Sequence, residues 1–243
     1  MADALSIPVR LFVLLLALWA AQPAQAAGRL VEGEVSVSAV AQRPVAAPGD
    51  QFAIAVILDF EEGWHAWPNV PVLPKELEGL EATPTVIHAD AAATDGAKAA
   101  LKREINGVTI RADWTQYPSA AEVSAGAFGS EASILAYTGR AVAFVPVLVS
   151  PDAAPGERVI PVRVFFQACN DSTCLRATTL SVDVKITVVP AGTSVAPIPP
   201  EQAKVFEAMD PGVFAKILSG ADAPKRAESG ASFDFFGYRF TVA

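Results

Sequence analysis

From Glu34 to Val189 the chain is a succession of short apolar or alternating runs separated by turn residues. That pattern argues for a two-sheet sandwich. Glu34-Val35-Ser36-Val37-Ser38-Ala39-Val40 alternates polar and apolar, as a half-buried strand must. Ala47-Pro48-Gly49-Asp50 is a turn signal, and Gln51 to Phe60 is a second, more apolar strand. Alternation returns in Val108 to Trp114. Ser133 to Tyr137 and Ala141 to Val149 flank Thr138-Gly139-Arg140, which reads as a hairpin turn. Val159 to Phe166 and Thr178 to Val188 form a further pair. The expected class is all-β, a two-sheet sandwich with a short helical C-terminal segment. Ala89 to Lys102, rich in alanine and polar residues, is expected to be an exposed loop or a short helix.

The first residues read as a secretory signal peptide. Arg10 precedes the apolar run Leu11 to Ala21, and Ala24-Gln25-Ala26 places small residues where a signal peptidase cuts. The run is too short to span a bilayer comfortably. The expected destination is a bacterial periplasm. The net charge is −8, without basic clusters, which leaves no electrostatic footprint for nucleic acid. Pro190 to Pro200 holds four prolines and reads as a linker. Glu201 to Met209 reads as helical, and Pro211 to Leu218 as a further turn or two. The expected division is a leader at 1–26, a sandwich at 27–189, a Pro-rich linker at 190–202 and a helical, aromatic segment at 203–243. The aromatic ending looks cut, which suggests a fragment of a longer protein.

The only two cysteines, Cys169 and Cys174, fall at the tip of the last strand pair, in Gln167-Ala168-Cys169-Asn170-Asp171-Ser172-Thr173-Cys174-Leu175. Exported cysteine pairs usually form disulfides. A loop this short gains only about 2 kcal/mol from closure, against about 4.7 for a loop of about 100 residues. Two readings stand: a structural staple, or a bridge made and broken in use. The spacing is not the two-residue spacing at a helix N-terminus that lowers a thiol pKa in thioredoxins, so a slower, partner-dependent exchange is expected.

Glu61-Glu62-Gly63-Trp64-His65-Ala66-Trp67-Pro68-Asn69 follows a strand and sets two tryptophans and a histidine beside a turn. It reads either as a surface rim or as core packing at a sheet edge. His65, with a reference pKa near neutrality, is a candidate acid/base group or hydrogen-bonded scaffolding. Cys169, Cys174, His65 and His88 are a conceivable zinc set by ligand type, but their spacing matches no finger or ribbon. No Ser-His-Asp order, phosphate loop or carboxylate pair stands out, and Gly126-Ala127-Phe128-Gly129 is too degenerate to suggest a ligand.

Four stretches together resemble the N-terminal periplasmic domain of the DsbD-type thiol:disulfide interchange proteins, including the copper-tolerance (ScsB-like) branch. They are Glu62-Gly63-Trp64-His65, Trp114-Thr115-Gln116-Tyr117-Pro118, Tyr137-Thr138-Gly139-Arg140 through Val145-Pro146-Val147, and Gln167 to Leu175. They occur in the family's order over roughly Phe52 to Val188, and the cysteine hairpin is the specific part.

The resemblance implies an immunoglobulin-like sandwich whose disulfide shuttles electrons without a bound cofactor. The implied donor is a thioredoxin-like domain on the same or a separate chain. The implied acceptors are a periplasmic disulfide isomerase, a cytochrome c maturation factor or a copper-tolerance thiol protein. It implies that Cys174 forms the mixed disulfide and Cys169 resolves it. It further implies that Tyr137 tips a cap loop shielding the pair, with Trp64 and Trp67 as an aromatic rim. A membrane domain is expected to follow residue 243, tethering the whole to the inner membrane. Where some members carry acidic residues before the cap aromatic, this chain has Leu135 and Ala136, and residues 89–103 look like an insertion.

Overall fold

The alternating runs fold into facing sheets. The computed structural model describes residues 34–93, 96–129 and 131–224, and the backbone alone of 26–29, 232–235 and 238–241. The strands are β1 (Ala26–Arg29), β2 (Val35–Ala41), β3 (Val45–Ala46), β4 (Gln51–Phe60), β5 (His65–Ala66), β6 (Val86–His88), β7 (Lys102–Ile105) and β8 (Val108–Arg111). They continue with β9 (Ala121–Ser124), β10 (Ser133–Thr138), β11 (Arg140–Val149), β12 (Gly156–Phe166), β13 (Ala168–Cys169) and β14 (Thr178–Val188). Helices α1 (Pro200–Val205) and α2 (Gly212–Leu218) follow, then the short ladder of β15 (Ser232–Phe235) and β16 (Tyr238–Thr241). The expected leader lies outside the described residues, except for Ala26. Among the described residues no helix is long and apolar enough to cross a membrane.

One sheet runs β1-β2-β4-β11-β8-β7 and a second β3-β14-β12-β6. The inward positions of β12 and β14, Ile160, Val162, Val164, Val182, Val184 and Ile186, pack with Val35, Val37, Val56 and Leu58 of β2 and β4, and with Val145 and Val147 of β11, in one buried cluster. This is an all-β sandwich, with the period-2 alternation of each strand placing every second side chain in the core. A third, smaller sheet, β13-β5-β10-β9, lies beside it. This sheet carries the site.

The turn at Thr138-Gly139-Arg140 is not a hairpin. β10 pairs with β5 and β9, whereas β11 pairs with β4 and β8. Gly139, at φ 59°, turns the chain from the small sheet into the large one, and its carbonyl accepts from the Phe60 amide at 2.7 Å. A left-handed φ of this kind favours glycine. Val108 to Trp114 also divides: the strand stops at Arg111 and Ala112–Trp114 is a 3-10 turn.

Ala89 to Lys102 is more anchored than an exposed loop. Asp90 accepts from the amides of Ala92 and Ala100, Ala89 and Ala99 are buried, and the 3-10 turn Gly96–Lys98 lies close enough to Phe165 that a side chain at Gly96 would clash.

The helical segment docks on the sandwich. Ala53 and Ala55 leave the outer face of β4 shallow, and Phe206 fills it against Val40 and Phe144. The Phe144 and Phe206 rings lie 5.8 Å apart. Gln116 and Asp210 exchange two hydrogen bonds, each 2.8 Å. Val213, Phe214 and Ile217 of α2 cover Trp114.

Candidate functional site

The chain emerging from β12 leaves its sheet at Gln167, pairs briefly with β5, and turns back within a few residues. Two backbone bonds hold the reversal: the Asn170 amide donates to Thr173 O at 2.9 Å, and the Leu175 amide to Ala168 O at 2.8 Å. The Asn170 side chain caps the turn, its Oδ1 accepting from the amides of Ser172 and Thr173 at 2.8 and 2.9 Å. An asparagine at a turn corner commonly binds its own downstream amides in this way. Gln167 ties the outgoing strand by donating to Leu175 O at 2.9 Å. Cys169 and Cys174 face each other between the two backbone bonds, the narrow kind of antiparallel pair, with Cα atoms 4.0 Å apart, and they form a disulfide.

The two cysteines are not equivalent. Cys169 is only 1% exposed, whereas Cys174 is half-buried on the outer limb of the hairpin. Cys174 is thus the more accessible residue of the pair.

Strand register defines what stands beside them. Cys169 is directly opposite His65, and His65 is directly opposite Thr138. With the Cys169–Cys174 bridge this makes one cross-strand row, Thr138, His65, Cys169 and Cys174, on a single face of the small sheet. The next row, Tyr137, Ala66 and Ala168, points the other way, into the main core.

His65 is 4% exposed. The tight turn Glu61–Trp64, closed by the Trp64 amide on Glu61 O at 3.0 Å with Gly63 at φ 81°, delivers it to this place. It hydrogen-bonds the backbone of Gly63, and its Nε2 has no hydrogen-bond partner. Burial pushes its pKa below the ordinary imidazole value, against the opposing pull of the Asp171 carboxylate and the Gly63 bond.

Tyr137 does not tip a loop. It is 3% exposed and is the penultimate residue of β10, in the row facing away from the disulfide. Its hydroxyl donates to Asn69 Oδ1 at 2.9 Å and accepts from the Asn69 amide at 3.4 Å. Desolvation pushes its pKa up to about 12. Trp67 is not a rim residue either. At 2% exposure it centres a satellite core with Leu77, Ala125 and Ile134. Trp64 is half-buried against the main core.

The feature that does rest on the hairpin is one the sequence did not signal. The 3-10 turn Gly126–Phe128, between β9 and β10, approaches so closely that a side chain at Gly126 would begin 2.7 Å from Asp171 O. The other end of the turn is held by Phe128, whose ring lies 5.7 Å from that of Trp67. The turn thus links the buried Trp67 to the cysteine loop.

His88 lies in β6 of a different sheet, and among the described residues no three His, Cys, Asp or Glu side chains group in a way that could hold a metal ion.

No family model matches the chain, and no curated protein matches it. Among solved structures it is similar to the N-terminal periplasmic domain of ScsB from Proteus mirabilis, at 13% identity and a TM-score of 0.42, over 68% of this chain and 54% of that one. The match therefore spans about half the length of that solved domain. A second likeness, at 14% identity and a TM-score of 0.28, is to a family 123 glycoside hydrolase from Clostridium perfringens whose structure concerns glycolipid glycan hydrolysis, over 63% of this chain and 23% of that one.

Proposed function

We propose that this chain is a periplasmic thiol–disulfide exchange module that relays electrons through the Cys169–Cys174 bridge. The observation that carries the reading is the asymmetry of the pair: one cysteine buried, the other half-buried on a very small hairpin. Exchange needs an accessible sulfur for attack and a sheltered one to resolve the mixed disulfide.

In the loading half, a thiolate of a thioredoxin-like dithiol attacks Cys174 Sγ. The intramolecular S–S bond breaks and Cys169 Sγ leaves as a thiolate. The donor's second thiolate then displaces Cys174, so the donor is oxidised and the pair reduced. In the delivery half, the Cys174 thiolate attacks a partner disulfide and Cys169 displaces the partner, which leaves with two electrons. The acceptor classes are those the sequence resemblance implies: a disulfide isomerase, a cytochrome c maturation factor or a copper-tolerance thiol protein. The same resemblance supplies the inner-membrane tether.

The test is trapping Cys169→Ser with a thioredoxin-like domain whose attacking cysteine carries a small thiol as a mixed disulfide, so that the Cys174 thiolate displaces that thiol and forms the inter-protein bond. A covalent adduct through Cys174, with fast exchange by the intact pair, is the expected result. No adduct, together with a bridge that resists reduction in the folded state, would leave a β-sandwich binding domain with a structural disulfide.

A further inference from the structure

The row Thr138–His65–Cys169–Cys174 places a buried imidazole directly across from the buried cysteine. Directly opposed residues of an antiparallel pair have Cβ atoms about 5 Å apart and share a face. His65 binds the Gly63 backbone through one ring nitrogen, and the other, Nε2, is buried and without a partner. A backbone carbonyl accepting from Nδ1–H fixes the tautomer that leaves the Nε2 lone pair free. A buried lone pair without a donor is uncommon and calls for an explanation.

We infer that His65 is the proton acceptor for Cys169 in the resolving step. This rests on the exchange reading and extends it from the two sulfurs to a third residue. Cys169 is the thiol that needs help: it is buried, no helix N-terminus assists it, and desolvation disfavours its thiolate. When Cys174 holds a mixed disulfide, the Cys169 proton moves to His65 Nε2. The Cys169 thiolate attacks Cys174 Sγ, the bond from Cys174 to the partner sulfur breaks, and the partner leaves as a thiolate. The imidazolium then returns its proton to solvent or to the departing sulfur. The charged groups facing His65 are few. Asp171, on the hairpin tip, is the carboxylate it feels, and Glu61 and Glu62 lie exposed in its own turn. On β10 it meets the neutral Thr138.

The experiment uses the reduced protein with oxidised glutathione, at concentrations where release of glutathione no longer depends on the reagent, so that ring closure by Cys169 sets the rate. A thiol with an ordinary pKa of about 8.5 is only a few per cent ionised at pH 7, so losing an internal base should slow closure roughly 10- to 30-fold. The expected parent profile rises with pH to a plateau reached before neutrality. His65→Gln should lack that plateau and go on climbing past the ordinary thiol range, because burial disfavours the Cys169 thiolate. Added imidazole should restore the rate of His65→Gly. Asp171→Asn should move the parent midpoint to lower pH and leave the plateau height unchanged, which tests the assignment without touching His65.

A His65→Gln profile that overlays the parent, or an Asp171→Asn midpoint that stays put, overturns the inference. Neither result bears on whether Cys174 forms an adduct with a thioredoxin-like domain. Conversely, the absence of that adduct would remove the exchange reading while the glutathione kinetics still report on His65.

Discussion

Gly126 stands against Asp171 with no room for a side chain: an added Cβ would sit 2.7 Å from the Asp171 carbonyl oxygen. The atom in the way is backbone, so it cannot rotate aside. Gly126→Ala must push the 3-10 turn and the cysteine hairpin apart. Overpacking of this kind costs about 1–3 kcal/mol, and the contact between the two loops is the part free to yield. One kcal/mol raises an open population roughly 5-fold. Reduction of the bridge by a small thiol should therefore accelerate by about that factor in Gly126→Ala, with the melting temperature lowered only slightly. An unchanged reduction rate would mean that the turn does not shield Cys174.

Tyr137 makes the opposite prediction. Its ring faces the main core and its hydroxyl serves Asn69, so Tyr137→Phe should leave the oxidation rate of the dithiol unchanged. Stability should fall by about 1 kcal/mol, the usual worth of one buried hydrogen bond. Stopped-flow oxidation and chemical denaturation measure the two quantities. Faster oxidation of a fully folded Tyr137→Phe would restore the tyrosine to the cap.

The same hydroxyl provides a pH signature. Its folded pKa, about 12, stands above the ordinary tyrosine value of about 10. The native state thus keeps a proton that the unfolded chain gives up. Stability from this group is complete below about pH 10 and is lost as pH rises towards 12, a total of about 2–3 kcal/mol. Denaturation curves between pH 9 and roughly 12 should fall more steeply for the parent than for Tyr137→Phe. Parallel curves would mean that Tyr137 does not titrate differently in the folded protein.

Much of the sandwich was legible because its strands alternate. Val182, Val184, Ile186 and Val188 mark the buried face of β14 one residue in two, and period is the signal a sequence displays best. The site was only partly legible. The cysteines announce themselves by their rarity, but β5 is two residues long, too short to show any period, so nothing in Trp64-His65-Ala66-Trp67 indicates that His65 opposes Cys169. The placement of Tyr137 on a cap loop came from the family resemblance, next to the Gly139 turn. That turn exchanges sheets rather than closing a hairpin, and this leaves Tyr137 within the paired end of β10 with its ring inward. The Gly126 turn carries no local motif. Its role comes from a contact between residues 126 and 171, and pairings of that separation leave no trace in a single sequence.

Docking of the helical segment is a separate test of the fold. Phe206 is 6% exposed and packs on the alanine-lined outer face of β4. Phe206→Ala should cost about 3 kcal/mol and release α1 before the sandwich unfolds. Amide exchange should rise in 200–218 while β12 and β14 stay protected. Uniform loss of protection would make the segment an integral part of the core.

The bridge itself should matter little to folding if it works in exchange. The reversal is already held by the bonds from Asn170 to Thr173 and from Leu175 to Ala168, by the Asn170 side-chain turn and by the bond from Gln167 to Leu175. The disulfide adds closure of a very short loop, about 2 kcal/mol on the chain-entropy model. For a domain of this size that corresponds to roughly 4–8 °C in melting temperature. The double variant Cys169→Ser, Cys174→Ser should therefore fold, keep its β-rich circular dichroism and melt within that margin of the oxidised parent. Reduction of the parent should produce a shift of the same size. A variant that fails to fold, or a shift several times larger, would show the hairpin to be held by its sulfurs, which is the property of a staple and not of a bridge that opens and closes in use.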